Sequence, residues 1–245
     1  EAMIGRINTD LANNLGNLLN RILNMVQRYF KGVIPGPLGD GSFDRELVNK
    51  ADQTVQEVEK LLGHLEFSKI LVSTWELIDS TNKYIDSSAP WNLAKSEETR
   101  GRLSTVMYNS LEALRIIAIL LYPFMPDKAN EINRQIGMTQ DILSQGMDSV
   151  KKWGGVKASS SINRGGQLFP RIDDDRKEEL LKKLKGESME TGRVEAQKNK
   201  EENSGSSAEP NLISIDEFTK LDLRVGEIKE AEKVEKSNKL IKLKV

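Results

Sequence analysis

Asn17 and Arg21 stand four residues apart in a stretch of helical periodicity, so their side chains are neighbours on one face. Together they offer an amide donor, an amide acceptor and a guanidinium fork, a set that suits reading the edge of a nucleobase. A third candidate is Trp91, in the segment Ala89-Pro90-Trp91. Proline removes a backbone donor and pushes the preceding residue out of helical geometry. The helix leading into it should therefore end near Ser88 or Ala89, leaving a large flat aromatic at the corner. That ring is either a core tryptophan capping a helical bundle or a surface presented to a flat ligand such as a nucleobase, and spacing alone leaves both open.

Catalytic chemistry is hard to assemble from the remainder. The 245 residues contain no cysteine and one histidine, His64. This excludes a disulfide scaffold and thiolate metal ligation, and argues against a histidine-based metal site or triad. No glycine-rich phosphate loop with a Lys-Ser/Thr occurs, and Asp173 to Asp175 read as a solvated charge run. No cofactor is expected within the chain. The net charge is −1, so any nucleic-acid binding must rest on local patches.

The first positioning element is a long amphipathic helix. Ile4, Ile7, Leu11, Leu15, Leu18, Ile22 and Val26 recur at steps of three and four. The opposite face gathers Asp10, Asn13, Asn17, Asn20, Arg21, Asn24 and Arg28. Asparagine is a mediocre helix former, so a face rich in it gives up stability that lysine or glutamate would have kept. A turn-rich loop spans Gly32 to Gly41, and a second helix from about Phe43 turns Leu47, Ala51, Val55, Val58 and Leu62 inward, with His64 at its end. A third, from about Glu66, is expected to bury Phe67, Ile70, Leu71, Trp75, Leu77, Ile78 and Ile85. A charged turn from Lys95 to Arg102 leads to a fourth helix, most deeply buried at Ile116 to Leu121. Asp127 can cap a short helix, and Thr139 to Val150 reads as another.

The helical domain is therefore placed at residues 1–158, with 159–172 a tail packed on the bundle. Residues 173–210 mix charges of both signs and end in Asn-Ser-Gly-Ser-Ser-Ala-Glu-Pro, a flexible tether, although Leu180, Leu181 and Leu184 suit a short helix. From 211 to 245, Leu221 to Ile228 reads as a strand, and Ile241, Leu243 and Val245 alternate with Lys242 and Lys244 as in a half-buried strand. Two strands bury no core alone, so this is expected to be the opening of a β domain, and both chain ends read as cut. No apolar run approaches the ~18 residues of a membrane span, and no signal peptide opens the chain. A cytoplasmic protein with no membrane partner is expected.

Arg6 to Arg21 and Asn82 to Lys95 closely resemble the anticodon-binding helical domain of bacterial methionyl-tRNA synthetase. Arg115 to Pro126 and Gln167-Leu-Phe-Pro-Arg-Ile172 are similar to the same family, and Ile215 to Gly226 resembles the start of its appended OB-type tRNA-binding domain. The resemblance implies a mainly α chain: a helical-bundle anticodon-binding domain, a disordered charged linker and the first strands of a truncated OB-type β-barrel. It further implies that Asn17 and Arg21 recognise the first anticodon base, a cytosine, while Trp91 stacks on it. The implied partners are the anticodon loop of tRNA(Met), a catalytic domain of the same polypeptide, and a second copy through the C-terminal domain. The family's ATP- and Mg-dependent catalytic fold, with its signature motifs and zinc-binding insertion, would precede Glu1. Before the second OB strand the family often carries Pro-His-Pro-Asp-Ala-Asp, replaced here by Val234 to Asn238; Ser237 and Lys239 are carried only as candidate tRNA contacts. Rival readings are the anticodon domain of another class I synthetase and a non-catalytic tRNA-binding adaptor.

Overall fold

A computed structural model describes residues 2–178, 229–233 and 241–244. Contacts divide the chain into units at 1–181 and 182–245. In the first, α1 (Ala2–Arg6) continues through a π-helical segment (Ile7–Gly16) into α2 (Asn17–Phe30). Then come α3 (Asp44–Gly63), α4 (Phe67–Ser88), α5 (Pro90–Leu93), α6 (Arg100–Leu121), α7 (Pro126–Gln135) and α8 (Ile142–Gln145). In the second unit the described residues form one antiparallel ribbon, β1 (Glu230–Lys233) with β2 (Ile241–Lys244). The expected helix at 180–184, the strand at 221–228 and both OB candidates, Ser237 and Lys239, lie outside the described residues.

The periodicity of the first helix maps onto burial, with one departure. Leu15, Leu18, Ile22 and Val26 are 0% exposed, whereas Ile4, Ile7 and Leu11 are only half-buried. The π segment accounts for the change: widening the turn re-phases the stripe, and the five-residue bond from the Asn17 N–H to the Ala12 carbonyl closes it before regular geometry resumes in α2. A side chain at Gly16 would press on the Leu11 carbonyl oxygen, 3.1 Å from the new Cβ.

At the centre lies α6, where every residue from Leu103 to Leu121 is buried. By length and average composition alone Glu97–Leu121 is apolar enough to cross a membrane, although, as expected, no unbroken apolar run within it approaches the ~18 residues of a span. The whole of that apolar window is buried in the bundle. Each fully buried large apolar side chain contributes about 1.5–3 kcal/mol. The same helix buries an ion pair that no apolar pattern reveals: Arg115 Nη2 lies 2.6 Å from Glu112 Oε1, at 1% and 0% exposure. Glu112 also accepts from the Gly154 and Val156 amides at 3.0 and 2.9 Å, so the pair fastens the chain that follows α8.

Other expectations are corrected locally. Phe67 is 48% exposed, because it is the first residue of α4, at the bundle's end, where it meets the Phe124 ring edge-on at 6.2 Å. Leu61, rather than Leu62, is the buried leucine ending α3. Asp127 does not cap α7: Pro126 takes the first turn and Met125 the cap position. Residues 139–150 are not one helix, since Gly146, at φ 63°, separates α8 from a 3-10 turn at Met147–Lys151.

Candidate nucleic-acid interface

The corner at Trp91 is built from Ala89. Its N–H donates to the Ile85 carbonyl at 3.0 Å, closing α4, and its carbonyl accepts from Asn92 N at 2.8 Å, opening α5. Pro90 occupies the first helical position, where no amide donor is needed. Ala89 takes a left-handed conformation (φ 43°, ψ 59°), since the helical region is closed to it by the proline. Thr99 Oγ1 donates to the Leu93 carbonyl at 2.6 Å and holds the short helix down. Pro90 is buried and Trp91 is 43% exposed. Trp91 is therefore not a core residue.

The seam between the first helix and α4 brings Arg21 towards that corner. Asn14 Nδ2 donates to Asp79 Oδ1 at 2.7 Å, and Arg21 Nη2 to Asp86 Oδ1 at 2.6 Å. Both pairs are separated by 65 residues in sequence, so the two helices run parallel in fixed register. Asn82 Nδ2, donating to Asn14 Oδ1 at 2.8 Å, tightens the same seam. Continued by one turn, the register sets Ala89 level with Asn24. Arg21 thus pairs with α4 five residues before Trp91. Asn17, between Asn14 and Arg21, is exposed, and its side chain makes no hydrogen bond among the described residues.

A second wall stands on the other side of α2. At about 100° per residue, Arg21 lies roughly 40° to one side of Asn17 and Asn24 roughly 20° to the other. Asn24 Oδ1 accepts from Arg164 Nη2 at 2.7 Å. From there the chain runs back along the helix. Leu168 and Phe169 are buried, Phe169 is beside Gly16, and Ile172 exchanges two hydrogen bonds with the Asn8 amide at 2.7 and 2.8 Å. Arg164 carries no periodic signal that would single it out; only its proximity to Gly165-Gly166 marks a close approach.

Beneath the corner, Tyr84 Oη donates to Asp44 Oδ1 at 2.5 Å and accepts from Asn109 Nδ2 at 3.3 Å. Arg102 Nη1 donates to Asp44 Oδ2 at 2.7 Å. Burial first, then the hydrogen bond to the Asp44 carboxylate, hold the Tyr84 phenol well above its ordinary range. This network joins α3, α4 and α6. Among the described residues no group of three or more His, Cys, Asp or Glu side chains is arranged to hold a metal ion.

Residues 34–189 match the anticodon binding domain of methionyl tRNA ligase. The chain belongs to that family. It is 45% identical, over its whole length, to a methionine–tRNA ligase of Caldanaerobacter subterraneus, and 42% identical to one of Clostridium tetani. It spans 36% of the length of each of these curated relatives. Among solved structures, the apo form of Mycobacterium tuberculosis methionyl-tRNA synthetase superposes with a TM-score of 0.64 at 31% identity, covering 70% of this chain and 34% of that one. The same enzyme bound by methionyl-adenylate gives a TM-score of 0.63 at 31% identity, over 69% of this chain and 33% of that one.

Proposed function

We propose that the chain reads the first anticodon base, a cytosine, of tRNA(Met) within a methionine–tRNA ligase. The observation that carries this is the Asn17 amide, without a hydrogen-bond partner among the described residues, beside Arg21, whose helix is registered against the one that ends at an exposed Trp91. Single-stranded loops are read by splaying bases onto aromatic rings and hydrogen-bonding their edges. The pyrimidine ring lies on Trp91, a contact worth roughly 1–3 kcal/mol. The guanidinium of Arg21 donates to the O2 and N3 acceptors of cytosine, and the Asn17 carbonyl accepts from its amino group. Because Asp86 compensates the charge of Arg21, the pair suits a neutral base edge better than a phosphate.

In the longer polypeptide, the anticodon signal helps place the acceptor end in a catalytic domain of class I type. There ATP and Mg activate methionine before its transfer to tRNA, and any zinc belongs to that domain too. The OB-type module at 211–245 adds sequence-independent tRNA affinity through effective concentration and contributes to a homodimer. The setting is cytoplasmic. The test is a gel-shift series with hairpins carrying CAU or each other base at the first position. The cytosine hairpin should bind tightest, by about 1–3 kcal/mol; equal binding across the series would overturn the assignment.

A further inference from the structure

The wall formed by residues 159–172 has a guanidinium that the base-reading set does not use. The chain before it is strapped in place: Ile34 N donates to Ser160 O at 2.8 Å, Ile162 N to Gly32 O at 2.9 Å and Asn163 N to Gln135 O at 2.9 Å. On the far side Gly165 lies so close to α7 that an added Cβ would meet Glu131 Oε1 at 2.5 Å and Gln135 Nε2 at 2.7 Å. Arg164 is thus held on one side by backbone hydrogen bonds and on the other by the α7 side chains packed against Gly165. Its Nη2 is spent on the neutral amide of Asn24, which aims the group without discharging it.

No carboxylate pairs with Arg164 among the described residues. Glu131, the acid near Gly165, is taken by Arg134 at 2.7 Å. Arg21 is different, sitting 2.6 Å from Asp86. The two guanidiniums flank one exposed strip of α2, one neutralised and one not. Arg28, one turn beyond Asn24 on that strip, has no ion pair among the described residues either and lies 5.8 Å from the Tyr29 ring centroid. A charge-compensated arginine fits a base edge. An uncompensated one, held by an amide with four N–H donors to spare, fits a phosphodiester oxygen.

We infer that Arg164, aimed by Asn24, binds a backbone phosphate of the RNA segment whose base stacks on Trp91. The inference rests on the RNA-reading role above and adds a sequence-independent clamp on the opposite wall of the strip. Such a contact positions the loop and carries no base preference.

The test is equilibrium binding of cytosine-first and uridine-first hairpins to the full 245-residue chain across a salt series. Arg164→Gln should weaken both hairpins equally, about two- to fivefold at moderate salt. It should lower the magnitude of the log–log salt slope by about 0.7, one phosphate contact on a single strand. Arg164→Lys should restore the slope, and Asn24→Ala should weaken both hairpins while keeping most of the slope. An unchanged slope in Arg164→Gln would overturn the inference while leaving base reading intact. So would a loss confined to the cytosine hairpin, which would make Arg164 a base contact. Wild-type binding that keeps the Arg164 effect but shows no first-base preference would instead overturn the anticodon assignment alone. No wild-type binding at low salt would sink both.

Discussion

A left-handed alanine costs roughly 1–2 kcal/mol, and Ala89 adopts that conformation where one helix hands over to the next. The chain could turn there with an asparagine or a glycine at lower cost. What the present arrangement secures is a buried Pro90 directly followed by an exposed Trp91. The corner itself was legible in the residues, because proline strongly disfavours helical geometry in the residue before it. The environment of the tryptophan was not: the local pattern fits a core ring and a presented ring equally well. Exposure of 43% settles that it is not core. Trp91→Ala should therefore weaken binding of a CAU hairpin by about 1–3 kcal/mol. Stability should stay within about 0.5 kcal/mol, as for surface substitutions generally. Parallel urea melts and gel shifts separate the two quantities, and a lost transition with unchanged residual affinity would place the ring in the core after all.

Helices here are held at the Trp91 end by a polar network rather than by apolar packing alone. Tyr84, Asp44 and Arg102 join three helices, and Trp153 Nε1 reaches Asn109 Oδ1 at 3.4 Å on its edge. Tyr84→Phe removes the donor to Asp44 and should cost about 1–2 kcal/mol at neutral pH. Because burial and the carboxylate raise the folded-state value of the phenol, its contribution is complete below about pH 10, the ordinary tyrosine value. It is lost as pH rises through the raised value. The stability gap between wild type and Tyr84→Phe should thus narrow above about pH 10, read from urea midpoints. A gap independent of pH would mean that the phenol titrates alike in both states. At this scale the steps of three and four in Leu15, Leu18, Ile22 and Val26 were readable, since burial follows period. The π segment was not, because a widened turn leaves the residue types unchanged. Nor was the Glu112–Arg115 pair, since charged residues inside an apolar run signal burial only once their partners are known.

For the molecule as a whole, the strip proposed to read the base depends on three segments distant in sequence: α2, the end of α4 with its corner, and the returning tail. Composition and period place each on a surface, but the fixed register between α2 and α4 comes from Asn14–Asp79 and Arg21–Asp86, contacts that no local pattern encodes. The Asn24–Arg164 bond spans 140 residues and is equally invisible along the chain. The central claim is that this assembled strip discriminates by base edge, with Arg21 turned towards cytosine and not towards phosphate. The most direct measurement is the ratio of dissociation constants for cytosine-first and uridine-first hairpins, in wild type and in Arg21→Ala. The ratio should fall towards one in the variant, a loss of about 1–3 kcal/mol, with affinity for the uridine hairpin nearly unchanged. An equal loss on both hairpins, leaving the ratio at its wild-type value, would make Arg21 a phosphate contact and contradict the account.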